Sequence, residues 1–185
     1  MVIALVSLAA VLMSRNSNKP AVDLNEKKVD VTEQQTDTEK QGNSIPKGYQ
    51  EVVRECFSFG VFMPTTVDFT KTVCQMAAKF GTVSQYSLTV TPVTDPVVDL
   101  QNLVDKAKAA GTITTQDDIQ LGGVPSKKLV IKSNGLDQQT LVTIPTKKTY
   151  QIDGKNINAF IITTSYNDDV AKKASEVLIS TWVWI

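Results

Sequence analysis

Two cysteines are the side chains in this sequence best placed to do chemistry. Cys56 and Cys74 lie about 18 residues apart, on two stretches expected to be neighbouring strands. Outside the cytoplasm an even cysteine count invites a disulfide. Closing a loop of that length would contribute about 3 kcal/mol on the chain-entropy account. The alternative is a pair of buried free thiols. A redox-active pair is not indicated, because C-x-x-C spacing is absent.

The other candidates lose their chemistry on inspection. The chain has no histidine, which removes the commonest general base and the commonest metal ligand together. No Ser-His or Cys-His nucleophile and no His-ligated zinc can be built. Asp117-Asp118 and Asp168-Asp169 are acidic pairs. A calcium loop needs several oxygen ligands at set spacing, and neither stretch shows it. Asp168-Asp169 reads instead as a helix start. Gly122-Gly123 lacks the Gly-Lys-Ser/Thr continuation of a phosphate loop. Lys127-Lys128, Lys147-Lys148 and Lys172-Lys173 read as solvated surface; convergence on one face would instead imply an anionic partner. Lys and Arg total 19, as do Asp and Glu, so the net charge of zero argues against a nucleic-acid binder. No catalytic residue, metal ligand or cofactor site is assigned, and the expectation is a protein that is not an enzyme.

The elements that must position these residues centre on Ser126 to Tyr166, read as four strands folded back on one another. Lys128 to Lys132 is apolar and β-branched, and Asn134-Gly135 follows it. That dipeptide is a strong hairpin signal, because a type I′ turn needs positive φ at both central residues. Thr140 to Ile144 alternates, Pro145 ends it, and Lys148 to Ile152 leads to a second hairpin signal at Asp153-Gly154. Ile157 to Tyr166 carries apolar residues on both faces: Ile157, Ala159 and Ile161 against Phe160 and Ile162. Such a strand is expected to be central and covered on both sides.

Ahead of the meander, Val52 to Met63 reads as a strand with Phe57, Phe59 and Val61 on one face. Val67 to Met76 and Gln85 to Val93 read as two more. Asp95-Pro96 is expected to open a helix carrying Val97, Leu100, Leu103, Val104 and Ala107 as its apolar stripe. Gly111 would stop it in the left-handed conformation. Thr112 to Leu121 reads as a polar link into a short strand, and Gly122-Gly123 as a turn. Asn167-Asp168-Asp169 caps a final helix with Val170, Ala174, Val177, Leu178 and Thr181 at helical spacing. Trp182 and Trp184 close the chain and are expected against the sheet, with any exposed ring edge a contact candidate.

The N-terminal quarter is different in kind. Val2 to Met13 is an apolar run of about a dozen residues, too short for the roughly 20 of a spanning helix. It is long enough for the roughly 7–15 of a signal-peptide apolar region. It begins directly after Met1 without a basic leader, so residues 1–13 read as a signal peptide or a truncated membrane anchor. No cysteine follows for a lipid anchor. Arg15 and Lys19 lean toward a cytoplasmic tail under the positive-inside bias. Residues 14–48 are polar and of mixed charge, with too little apolar surface to offset ordering entropy. They read as a disordered linker ending at Pro46-Lys47-Gly48, and residues 49–185 as one domain.

Three stretches carry a resemblance. Phe57-Ser58-Phe59 runs to Met63-Pro64. Gly122-Gly123-Val124-Pro125 precedes a long strand. Asn158-Ala159-Phe160-Ile161-Ile162 runs through Ser165-Tyr166 into a helix ending Leu178-Ile179-Ser180-Thr181-Trp182. In these the chain resembles the PsbP-like family, whose fold is shared by a yeast Ran-binding nuclear import factor and by bacterial lipoproteins. The family's tryptophan after the first strand's proline is replaced by Thr65-Thr66-Val67. The resemblance implies an α+β fold: an antiparallel sheet of about six or seven strands with helices on both faces, an α/β/α sandwich. It also implies a binding or accessory role.

The expected protein is therefore a non-catalytic accessory domain of a bacterial cell envelope. It is exported and either membrane-anchored through its N-terminal segment or secreted. It would act as a monomer on an unidentified protein or surface component. The alternative is a small-ligand carrier or enzyme with a pocket beside the sheet. A third reading is a cytosolic domain on a membrane anchor.

Overall fold

The structure is a computed structural model that describes residues 44–62, 67–68, 73–81, 86–97, 99–146 and 148–185. The leader at 1–13 and all but the last five residues of the linker at 14–48 lie outside them, as do Met63-Pro64 and Lys147.

The chain enters through a turn in which the Tyr49 N–H donates to the Pro46 carbonyl at 3.0 Å. Two strands follow, β1 (Tyr49–Val53) and β2 (Phe57–Phe62), paired antiparallel. This corrects the expected single strand from Val52 to Met63. The Arg54 N–H donates to the Phe57 carbonyl at 2.8 Å and closes a tight turn. Next come β3 (Val67–Asp68), β4 (Met76–Phe80) and β5 (Tyr86–Val93). Of the strand expected from Val67 to Met76, Val67–Asp68 form β3 and Met76 already belongs to β4, while residues 69–72 lie outside the described residues. The separate β4 hides in Met-Ala-Ala-Lys-Phe, whose small residues blur the alternation.

Helix α1 (Leu100–Lys108) starts later than Asp95-Pro96 predicts. Its cap is Asp99, whose carboxylate accepts from the Asn102 N–H at 2.8 Å. Strand β6 (Thr112–Leu121) spans ten residues, where a link into a short strand was expected. It pairs with β7 (Val124–Ser133), and β7 pairs with β8 (Leu136–Thr143). Gly122-Gly123 and Asn134-Gly135 make the turns, all four residues at positive φ.

The expected meander then departs from plan. β9 (Tyr150–Ile152) and β10 (Lys155–Ile157) form their own two-stranded hairpin around Asp153-Gly154. The expected long strand from Ile157 to Tyr166 is broken at Asn158. That residue's backbone N–H donates to the Val93 carbonyl at 2.8 Å, and its side-chain amide to the Thr94 and Asp95 carbonyls. Beyond it, β11 (Ala159–Ser165) runs directly between β5 and β8. Helix α2 (Asp169–Thr181), capped by Asp168, and β12 (Val183–Trp184) complete the domain.

The class is α+β and mostly β. The main sheet runs β3-β4-β5-β11-β8-β7-β6, six full strands with two-residue β3 at one edge. A smaller sheet runs β1-β2-β12. Central β11 explains the core. Phe160 and Ile162 join the cluster that includes Phe57, Phe59, Met76, Leu88 and Leu178. Ala159 and Ile161 join the cluster of α1 with Leu129, Ile131 and Val142. Alternate residues of one strand point to opposite faces, so α1 and α2 cover opposite faces of the sheet. On α2, Ala171 is buried and Val170 exposed, which corrects the expected inward Val170.

Candidate functional site

Cys56 follows β1 in its turn, and Cys74 sits in the turn before β4. The two are joined by a disulfide with Cα atoms 5.4 Å apart, an ordinary separation. The bond ties the smaller sheet to the strand pair at one end of the larger one. The free-thiol alternative is thereby set aside. The C-terminus shares this end, since the Ile185 N–H donates to the Cys56 carbonyl at 3.1 Å.

The residues flanking the bridge line an open groove of about 240 Å³. Glu55 and Val73 form one side, and Gln151, Ile152 and Asp153 of the β9–β10 hairpin form the other. The hairpin is braced by the Gln151 amide donating to Asn156 Oδ1 at 3.0 Å. Asp153, at φ 50°, is set at its tip by the turn. Neither the Glu55 nor the Asp153 carboxylate has a cationic partner among the described residues. An aliphatic floor with two carboxylates can hold a cationic head group.

Trp182 and Trp184 turn inward. The Trp182 ring stacks on Phe59 at 5.4 Å and 6° and on Phe57 at 4.8 Å. Trp184 lies 5.2 Å from Phe160, and its indole N–H donates to the Leu121 carbonyl at 2.8 Å. Gly122 makes room for both, because a Cβ there would sit 2.8 Å from the Trp184 ring. Trp182 is buried, while Trp184 keeps part of its surface exposed.

The remaining candidates are structural. Lys127 pairs with Asp118, Lys128 with Asp117 at 3.0 Å, Lys173 with Glu176 at 3.2 Å and Lys172 with Asp169 at 3.8 Å. Each of these four lysines has a carboxylate neighbour on the surface, and Lys147 lies outside the described residues. Among the described residues no group of three His, Cys, Asp or Glu side chains could hold a metal.

Burial pushes the Tyr86 phenol far above its ordinary value, against the opposing hydrogen bonds of Ser175 and Thr164. Thr164 and Ser175 share a buried hydrogen bond at 3.0 Å beside it. Burial also raises Tyr150. Asp105, an exposed helix residue, is lowered by hydrogen bonds from Lys108 and Gln101.

The sequence offered one handle on the groove, the cysteine spacing, which marks Glu55 and Val73 by adjacency. It offered none on Gln151 to Asp153, which reach the bridge only through tertiary folding. Compared with protein-family models and with curated proteins, the chain has no match.

Proposed function

We propose that this chain is a non-catalytic binding domain of a bacterial cell envelope, of the PsbP-like α/β/α type. It is exported, held at the membrane by residues 1–13, and spaced from it by the polar segment up to residue 48. The carrying observation is the Cys56–Cys74 bridge, since disulfides persist in oxidising compartments outside the cytoplasm. The element order supports the fold reading: among the described residues, five strands, a helix, six strands, a second helix and a short last strand, with the helices on opposite faces. Among the described residues no helix is long and apolar enough to cross a membrane.

A surface mode of action follows from the interior. Both faces of the main sheet are filled by large apolar side chains. Binding then falls to strand edges, loops and the groove. The groove also favours a second reading, a carrier of small cationic ligands held by Glu55 and Asp153 over Val73 and Ile152.

Two measurements test the first reading. Protease added to intact cells should digest the domain if it lies outside the membrane, and full protection would place it in the cytosol. The full chain, immobilised in envelope extract, should retain the same protein across repeated preparations. Failure to retain any would overturn the binding role.

A further inference from the structure

Among the described residues, β6 has a strand on one side only. Its ten residues make a long edge, and Thr114 to Asp118 are all exposed. Two-residue type I′ hairpins hydrogen-bond the residues that flank the turn. Leu121 and Val124 flank Gly122-Gly123. By alternation, the backbone groups of Ile119, Asp117 and Thr115 point to β7. Those of Gln120, Asp118 and Gln116 point outward.

Long edges are usually blunted by proline, by a bulge, by a covering element or by charged side chains that repel a like-charged strand and admit an oppositely charged one. Here the single register shift lies between Ile113 and Thr115, and the straight run from Thr115 to Leu121 contains no proline. The run carries Asp117 and Asp118 at its middle. Their side chains remain 52% and 82% exposed despite the ion pairs with Lys128 and Lys127.

We propose that β6 accepts an added strand, an extended segment of a partner protein with two consecutive basic residues opposite Asp117 and Asp118. Backbone hydrogen bonds to the outward groups would supply the pairing, and the two aspartates, one on each face, would set the register. A second copy of this chain fits less well. Two-fold antiparallel pairing sets one residue opposite itself. The register that pairs the whole straight run centres on Asp118 and sets that aspartate against its own copy, which is unfavourable. The proposal rests on the binding reading above and names the surface that performs it.

The test uses the full chain and two labelled nine-residue peptides of alternating Thr and Val, one with Lys-Lys at its centre and one with Glu-Glu. Fluorescence anisotropy at low salt should show the Lys-Lys peptide bound about tenfold more tightly, with the gap closing as salt rises. Gln116→Pro removes an outward donor and spares the ladder to β7. It should abolish peptide binding while the thermal transition persists. Asp118→Asn should reduce the preference between peptides about threefold without unfolding the chain. Absence of binding, equal binding of both peptides, or binding unchanged in both variants overturns the proposal. So does a dimer of the chain that Gln116→Pro dissolves. A partner captured from envelope extract and held equally well by Gln116→Pro would sink the edge assignment and leave the binding role standing. Peptide binding without any captured partner would do the reverse.

Discussion

Thr181 shows how one side chain can serve two elements. Its hydroxyl donates to the Val177 carbonyl at 2.6 Å and accepts from the Gly60 N–H at 2.8 Å. Both contacts are buried, so loss of the hydroxyl strands a donor of β2 without water. Thr181→Val keeps the shape and should cost about 1–3 kcal/mol, read as a lower urea midpoint. Thr181→Ser should recover most of that, and equal effects of the two would remove the hydrogen bond from the account. Gly111 makes a different case. Read as a left-handed helix stop, it does not take positive φ. It is glycine because a Cβ would overlap the Lys132 carbonyl oxygen of β7. Gly111→Ala should therefore destabilise by about 1–3 kcal/mol through overpacking, again measured as a urea midpoint. The residue type was legible in the sequence. Its cause was not, because the atom it avoids lies 21 positions away along the chain.

Elements show the same division between local and distant causes. The type I′ turns were legible because their residues must adopt positive φ, and Asn134 and Asp153 do so at 50°. The centrality of β11 was legible from apolar residues on both faces. The exit of β9–β10 from the main sheet was not, since Tyr150 to Ile152 alternates as any strand would. The length of β6 was also hidden, because Thr-Thr-Gln-Asp-Asp is polar on both faces when one edge of the strand meets solvent. The cysteine spacing announced a possible bridge, and the structure shows what it joins. The β1-β2-β12 sheet meets the β3–β4 side of the main sheet at that bond. Reduction should lower the unfolding free energy by about 2–4 kcal/mol on the chain-entropy account. A Cys56→Ser, Cys74→Ser chain should match the reduced protein and ignore reductant. Identical urea midpoints for oxidised and reduced chains would show that the smaller sheet holds without its clip.

At the scale of the whole molecule, the missing histidine shapes the response to pH. No side chain has an ordinary pKa between the carboxylates and the alkaline groups, and both cysteines are bridged. Stability should be flat across the neutral range, and so should any binding at β6, which salt rather than pH would modulate. The alkaline limb is set by Tyr86. Burial raises its folded pKa above the ordinary value of 10.0, so the folded chain holds a proton that the unfolded chain releases. That stabilisation is fully present below pH 10 and is lost as pH rises beyond it. Tyr150, also raised by burial, adds in the same sense. Tyr86→Phe keeps the ring in the core and deletes the ionisation. It should lose a little stability at neutral pH with the Ser175 hydrogen bond, and then decline less steeply above pH 10. Urea midpoints of both chains from pH 7 to 11 decide the matter. Parallel alkaline slopes would mean that Tyr86 is not the group whose burial limits the fold.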